Sequence, residues 1–180
     1  SNNNKIESTT TVDIKENKTL TAQWQIMKST LTIDPKGGNW NGSTANQTVI
    51  GTYNSTTEIS NPTAPNGYTV TLNDNGNITN AVQTQDFNGW TNSGTGRISG
   101  TTYTYGAGDG TLTANYTANS VTLPTPTKTG YTFAGWYTLA NGGDKITSPY
   151  IPQQDITLYS QWTANKYTIT FNAEQGNTST

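Results

Sequence analysis

An internal repeat constrains this chain more than any other feature of its 180 residues. Two Phe-x-Gly-Trp elements occur, at Phe87–Trp90 and Phe133–Trp136, and a closing aromatic residue, Tyr116 or Trp162, follows 26 residues after each tryptophan. These residues end the similar segments TLTANY and TLYSQW, and a third such segment, TLTAQW, ends at Trp24. Several elements at fixed spacing are typical of repeated structural units. We therefore expect copies of one small module.

The repeats predict four segments along the chain. We interpret residues 1–24 as the back half of a repeat, 25–116 as a complete long repeat with an insertion, 117–162 as a short repeat and 163–180 as the first strand of a further repeat. The short repeat has no first strand of its own, so we expect it to borrow one or to share an edge. The chain is then either an excerpt from a longer array or a subunit that polymerises through its split ends.

Composition and periodicity favour β-structure. Thr and Asn together make up a third of the chain, with 38 and 22 residues, and this bias favours short strands joined by tight turns. Apolar residues alternate with polar ones in residues 68–72 and 156–162, which is the period of a half-buried strand. No segment shows a useful apolar stripe at helical period. The predicted class is mainly β, with tandem small modules and little helix.

The short repeat carries the closest match to a known family. Its residues LPTPTKTGYTFAGWYT (Leu123–Thr138) and ITLYSQW (Ile156–Trp162) resemble the Listeria–Bacteroides repeat, also called the internalin-type B repeat. The resemblance implies β-grasp-like modules strung along secreted or wall-attached bacterial surface proteins, where they serve as stalks or adhesion segments. It also implies an extracellular or cell-surface location.

The aromatic residues could form a core or hold a ligand. Recurrence at one register favours the core, because each repeat needs a core whether or not it binds anything. The predicted core residues are Phe87, Trp90, Leu112, Tyr116, Phe133, Gly135, Trp136, Leu158 and Trp162. Strand alternation places Tyr131, Phe133 and Tyr137 on one face, which Trp136 joins only if Gly135 forms a bulge. Tyr131 and Tyr137 are therefore the candidates to face a ligand.

Catalytic and metal-binding groups are sparse. The chain has no His and no Cys, so the usual general base and the best nucleophile are missing and we expect no enzyme. A carboxylate pair remains open, although no spacing points to one. Asp74, Asn75 and Asn77 are candidate calcium ligands in an oxygen-rich loop, but a hairpin turn at Asn75-Gly76 explains them equally well. No cofactor is expected.

The charge of the chain and its glycosylation sequons limit which partners and modifications are expected. The nine cations are scattered singly in a chain of net charge −2, which argues against nucleic acid. No apolar run reaches spanning length, so no membrane insertion is expected. Among the Asn-x-Ser/Thr sequons, Asn41, Asn46 and Asn54 are the candidate glycosylation sites.

Two functions follow from these observations. The first is a non-catalytic extracellular structural segment that acts as a stalk, spacer or filament body. Its partners would be neighbouring repeats of the same or an identical chain, joined head to tail by strand addition between the C-terminal strand and the N-terminal half-repeat. The alternative is an adhesion or carbohydrate-binding module that holds a glycan or a host surface through exposed aromatic residues.

Overall fold

The computed structural model describes residues 15–17, 19 and 21–171, and these residues form strands and turns without a helix. The mainly β class predicted from the alternating, Thr-rich sequence is confirmed. Most of the predicted half-repeat 1–24, and residues 172–180 of the predicted final strand, lie outside the described residues. The strands are β1 (Lys28–Asp34), β2 (Gln47–Thr52), β3 (Thr56–Glu58), β4 (Thr69–Asp74), β5 (Asn77–Val82), β6 (Gln85–Gly94), β7 (Arg97–Ser99), β8 (Thr102–Thr104), β9 (Gly110–Ala118), β10 (Tyr131–Tyr137), β11 (Lys145–Ile146) and β12 (Ile156–Ala164).

The strands form three sheets, two of which share a framework. Module 1 is the four-stranded sheet β2-β1-β9-β6, and module 2 is the five-stranded sheet β11-β10-β12-β4-β5. Each has one parallel pair at its centre, β1 with β9 or β4 with β12, flanked by antiparallel neighbours. The third sheet, β3-β8-β7, is antiparallel throughout.

The register shows that the modules are equivalent residue by residue. Ile33 of β1 lies opposite Leu112 of β9, and Leu72 of β4 lies opposite Leu158 of β12. All four side chains are buried, because alternation along each central strand turns every second residue to the same covered face. Leu112 of TLTANY and Leu158 of TLYSQW thus lie at the centres of modules 1 and 2.

The two modules are interleaved along the chain. Hairpin β4–β5 of module 2 lies in the sequence between β1–β2 and β6–β9 of module 1. Segment 25–116 therefore contributes to both sheets, and segment 117–162 receives its first two strands from that segment. The division of the chain by sheets differs from the division by repeats, since spacing along a sequence does not reveal which strands pair.

A buried glutamine marks the place where the chain passes between modules. Gln83 follows β5 and is 2% exposed. Its Nε2 donates to the carbonyl of Asn119, 2.9 Å away, and its Oε1 accepts from the amide of Tyr68 at 3.3 Å. The amide of Asn119 in turn donates to the carbonyl of Thr84 at 3.0 Å. The three segments along which the chain passes between the two modules, those of Tyr68, Gln83 and Asn119, therefore meet at Gln83.

Each module has its own hydrophobic core. The core of module 1 is covered by the three-stranded sheet and contains Leu31, Ile33, Trp40, Ile59, Tyr103, Tyr105 and Leu112. The core of module 2 is covered by the segments around β11 and contains Val70, Leu72, Val121, Leu123, Trp136 and Leu158. Covering segments complete both cores because a single small sheet leaves its apolar face open to water.

Candidate functional site

A β-bulge organises the aromatic residues of module 2. The pairing of β10 with β12 shifts register between Phe133 and Gly135, and Gly135 has a φ of +139°. The extra residue turns Phe133 and Trp136 to the same face, where their rings meet edge to face with centroids 5.7 Å apart. The Gly of the Phe-x-Gly-Trp element is thus needed for its backbone conformation.

Module 1 repeats this arrangement. The register of β6 against β9 shifts between Phe87 and Trp90, and Gly89 has a φ of +101°. The rings of Phe87 and Trp90 also meet edge to face, at 5.3 Å between centroids. The repeated motif therefore encodes a bulge and a ring pair in both sheets.

The closing aromatic residues are held at equivalent places. Trp162 Nε1 donates to Asp74 Oδ1 at 3.2 Å and to Ser160 Oγ at 2.9 Å. In module 1, Tyr116 Oη donates to the carbonyl of Pro35 at 2.8 Å, and Pro35 occupies the position of Asp74 in the paired register. Burial, and then the charge of Asp34, raise the pKa of Tyr116, which keeps its hydroxyl protonated as a donor.

The sequence-predicted core residues occupy two environments. Leu112, Gly135, Trp136 and Leu158 are buried, whereas Phe87, Trp90, Tyr116, Phe133 and Trp162 are half-buried. The second group extends the ring contacts outward from each core, with Phe133 and Trp162 centroids 5.2 Å apart. A closing tryptophan that is only half-buried leaves part of its ring available at the surface.

The two tyrosines predicted to face a ligand are not neighbours. Because of the bulge, Trp136 joins the face of Tyr131 and Phe133, and Tyr137 lies on the opposite face. Tyr131 is 42% exposed, while Tyr137 is half-buried. Tyr131 and Tyr137 therefore do not form one binding surface.

The oxygen-rich loop joins β4 to β5 as a tight turn. Asn75 and Gly76 have φ of +50° and +94°, and the Asp74 carboxylate accepts hydrogen bonds from Ser160 and Trp162. The same oxygen, Oδ1, also accepts from the Asn75 side chain at 3.5 Å, so hydrogen bonds within the protein already occupy this oxygen. Within the described ranges, no three His, Cys, Asp or Glu residues are grouped to hold a metal ion. The predicted glycosylation sites Asn41, Asn46 and Asn54 are exposed.

Sequence reasoning missed one residue beside Tyr131. The turn from Lys128 to Tyr131, closed by a 3.1 Å bond from the Tyr131 amide to the Lys128 carbonyl, requires a φ of +79° at Gly130. It places the Lys128 ammonium 4.5 Å from the ring centroid of Tyr131 and 5.9 Å from that of Trp162. The Lys-x-Gly-Tyr spacing is the signal that would have found this contact.

A shallow groove of about 580 Å³ lies along this ring cluster. Besides Lys128, Tyr131 and Trp162, it is lined by Thr125, Pro126, Thr127, Thr129, Thr132 and Phe133. A second groove of about 350 Å³ shares Thr125 and Phe133 with it and extends to Lys145 beside Trp136. The two grooves are therefore neighbours on either side of Thr125 and Phe133.

A family model for the Listeria-Bacteroides repeat domain matches residues 68–161. The chain belongs to the Listeria-Bacteroides repeat family. The resemblance indicated by the sequence motifs is confirmed. The matched stretch begins one residue before β4 and ends within β12. It therefore begins and ends with the central strands of module 2 and encloses β6 and β9 of module 1. The family match thus agrees with the sheets in joining β4 to the later strands.

Two relatives share short stretches of sequence with this chain. Internalin H of Listeria monocytogenes is 51% identical over 51 residues, which cover 27% of this chain and 9% of internalin H. A Gly-rich protein of Evansella cellulosilytica, whose given name describes a membrane protein, is 40% identical over 52 residues, which cover 24% of this chain and 6% of the relative. The chain thus spans less than a tenth of each relative. In the part described here, no helix is long and apolar enough to cross a membrane.

The bulge glycines give a matched test of the repeat motif. We expect Gly89→Ala and Gly135→Ala each to lower the free energy of unfolding by about 1–2 kcal/mol, because alanine disfavours positive φ. At Gly89 the added methyl meets nothing within 4 Å, so backbone strain alone acts there. At Gly135 the methyl meets Lys145 Cε at 2.6 Å, and this atom lies near the end of a flexible side chain that can move away. Urea unfolding measures both values. Gly108→Ala, where no positive φ is needed and the nearest atom is 3.7 Å away, is the control, and a Gly89→Ala value no larger than the control value would contradict the assignment.

Proposed function

We propose that this chain is a non-catalytic structural segment of an extracellular surface protein, in which its modules act as a stalk, spacer or filament body. One observation carries the proposal: two modules in one chain repeat the same central strand pair, bulge and ring contacts. A framework repeated for its core is typical of arrays that extend a protein. Membership of the Listeria-Bacteroides repeat family and the likeness to internalin H support a surface location.

We further propose that the modules pair with neighbouring repeats of the same or an identical chain. Residues 167–171 read YTITF, and this segment aligns with the start of β4, YTVTL at residues 68–72. Val70 and Leu72 are buried in module 2, whereas the corresponding Ile169 and Phe171 are 75% and 89% exposed. The structure assigns no strand to residues 167–171, so a strand-like sequence with exposed apolar side chains is left unpaired there and is suited to strand addition.

The chain also contains a further copy of the sequence that pairs with β1 and β4. Segment TLTAQW (residues 19–24) corresponds in sequence to β9 and β12, and the Trp24 side chain is 92% exposed. In both modules these two strand types pair in parallel, with Leu72 opposite Leu158 in module 2. The equivalent register would place Phe171 of one repeat opposite Leu20 of the next.

Cysteine cross-linking tests this register directly, because the chain contains no cysteine. We expect Leu20→Cys and Phe171→Cys, introduced together, to give disulfide-linked dimers and longer ladders on mild oxidation. Thr21→Cys with Phe171→Cys is the matched control, since alternation turns Thr21 to the opposite face. Light scattering of the unmodified chain should show a mass that rises with concentration. Monomers at all concentrations, or a cross-link formed only within one chain, would overturn pairing between identical chains, and absence of any Leu20→Cys–Phe171→Cys cross-link would overturn the register itself.

A further inference from the structure

We infer that the groove beside Lys128, Tyr131 and Trp162 binds an acidic oligosaccharide, one whose sugar rings carry carboxylates. This inference goes beyond the proposed stalk role and does not depend on it. The site lies on the core face of β10 and β12, where the rings run out from the core of module 2 to the surface.

Module 1 serves as an internal reference for what the fold requires. Tyr131 pairs with Ala164, two residues before the Phe of the bulge, and Gln85 pairs with Ala118 at the same place in module 1. Module 1 therefore completes its framework with no ring at this position. The exposed ring of Tyr131 is thus not a requirement of the shared fold, unlike the recurring Phe and Trp residues.

The ring faces are held in place for a flat ligand. Bonds from Trp162 Nε1 to Asp74 and Ser160 fix one edge of the indole, and the turn at Gly130 fixes Tyr131 beside Lys128. The apolar face of a sugar ring can pack on such aromatic faces through dispersion contacts. Because the rings are fixed before binding, little side-chain entropy is lost on association.

The charge of the groove selects an acidic sugar. The residues that line this groove include Lys128 but no Asp or Glu, and the neighbouring groove adds Lys145, again without Asp or Glu, in a chain whose net charge is −2. Among the described residues, Lys128 makes no ion pair with a carboxylate. Hydroxyls of Thr125, Thr127 and Thr129 border the same groove and can pair with sugar hydroxyls. The contacts of the Lys128 ammonium with described residues are with the rings of Tyr131 and Trp162, so a carboxylate on the sugar would supply a charged partner.

Titration of the full chain with two matched sugars tests the inference. The probes are tetragalacturonate and the neutral galactose tetramer, with binding followed by calorimetry and by amide shifts in an NMR spectrum. We expect the acidic tetramer to bind about tenfold more tightly than the neutral one, in line with one charge-assisted contact. Raising the salt concentration should reduce this difference, since the site is open to solvent. Amide shifts should be centred on residues 125–133.

Two variants distinguish the contribution of the Lys128 charge to sugar affinity from that of the Tyr131 ring. Lys128→Met keeps the apolar stem, and we expect it to bring the affinities for the two tetramers within about twofold of each other. Tyr131→Ala should weaken the acidic tetramer about tenfold, while Gln85→Ala at the equivalent position of module 1 leaves binding unchanged. Thermal unfolding verifies that each variant is folded. Absence of binding at millimolar sugar, equal affinity for both tetramers, or an unchanged affinity in Lys128→Met would each overturn the inference, and none would affect the stalk role.

Discussion

Replacing Trp136 by alanine is expected to lower the free energy of unfolding by about 3–5 kcal/mol. The side chain is 4% exposed and belongs to the core of module 2 with Leu123 and Leu158. Its Nε1 donates to the carbonyl of Pro124, 2.7 Å away, so the substitution removes a hydrogen bond as well as the largest ring in that core. Urea unfolding followed by circular dichroism measures the loss.

Phenylalanine variants distinguish the hydrogen bond from the ring. Trp136→Phe keeps most of the apolar contact and is expected to lower the free energy of unfolding by about 1–2 kcal/mol through the lost bond and the smaller ring. Trp90→Phe in module 1 should have a smaller effect, because Trp90 Nε1 is buried without a hydrogen-bond partner in the part of the chain that the structure describes. Equal losses in the two phenylalanine variants would show that the Pro124 bond contributes nothing.

The side chains that fill each module are recorded locally in the sequence. Fixed spacing singled out Phe133, Trp136 and Leu158, because each copy of a module must fill the same volume with side chains of the same size. Parity along β10 even indicated that Gly135 had to form a bulge if Trp136 was to join Phe133. These features are local, so a single segment records them.

The strand partners could not be predicted in the same way. The pairing of β4 with β12 joins Leu72 to Leu158 although β6 and β9 of module 1 lie between them in the sequence. No local signal in either segment identifies the other as its partner. The position of Lys128 over Tyr131 was missed for another reason: it depends on the turn at Gly130 and has no counterpart in module 1. The β-grasp likeness of the modules stays a prediction.

The interleaving of the modules leads to the second large effect. We expect Leu158→Ala to lower the free energy of unfolding by about 2–5 kcal/mol, since the side chain is fully buried at the centre of module 2. The substitution should also destabilise module 1. When module 2 unfolds, roughly 20 residues between Thr63 and Gln85 become a flexible loop within module 1, and closing such a loop costs about 2–3 kcal/mol.

Hydrogen exchange of the full chain resolves the two modules separately. In Leu158→Ala, we expect protection to fall at module 1 amides such as those of Leu31 and Leu112 as well as in β12. Leu139→Ala is the matched control, because this leucine is 57% exposed and its loss should stay within about 0.5 kcal/mol. Unchanged protection of module 1 in Leu158→Ala would mean that the modules unfold independently.

Gln83 provides the physical link for this coupling. Its side chain contacts the backbones of two linking segments, at Tyr68 and Asn119, and Gln83 itself belongs to the third. Gln83→Ala removes both bonds. We therefore expect opening of module 2 to reduce the hydrogen-exchange protection of module 1 less in the double variant Gln83→Ala/Leu158→Ala than in Leu158→Ala alone. A spacer built this way resists stepwise opening, because neither module can be lost without destabilising the other. The interleaved order thus gives the proposed stalk role a mechanical basis that two tandem modules would lack.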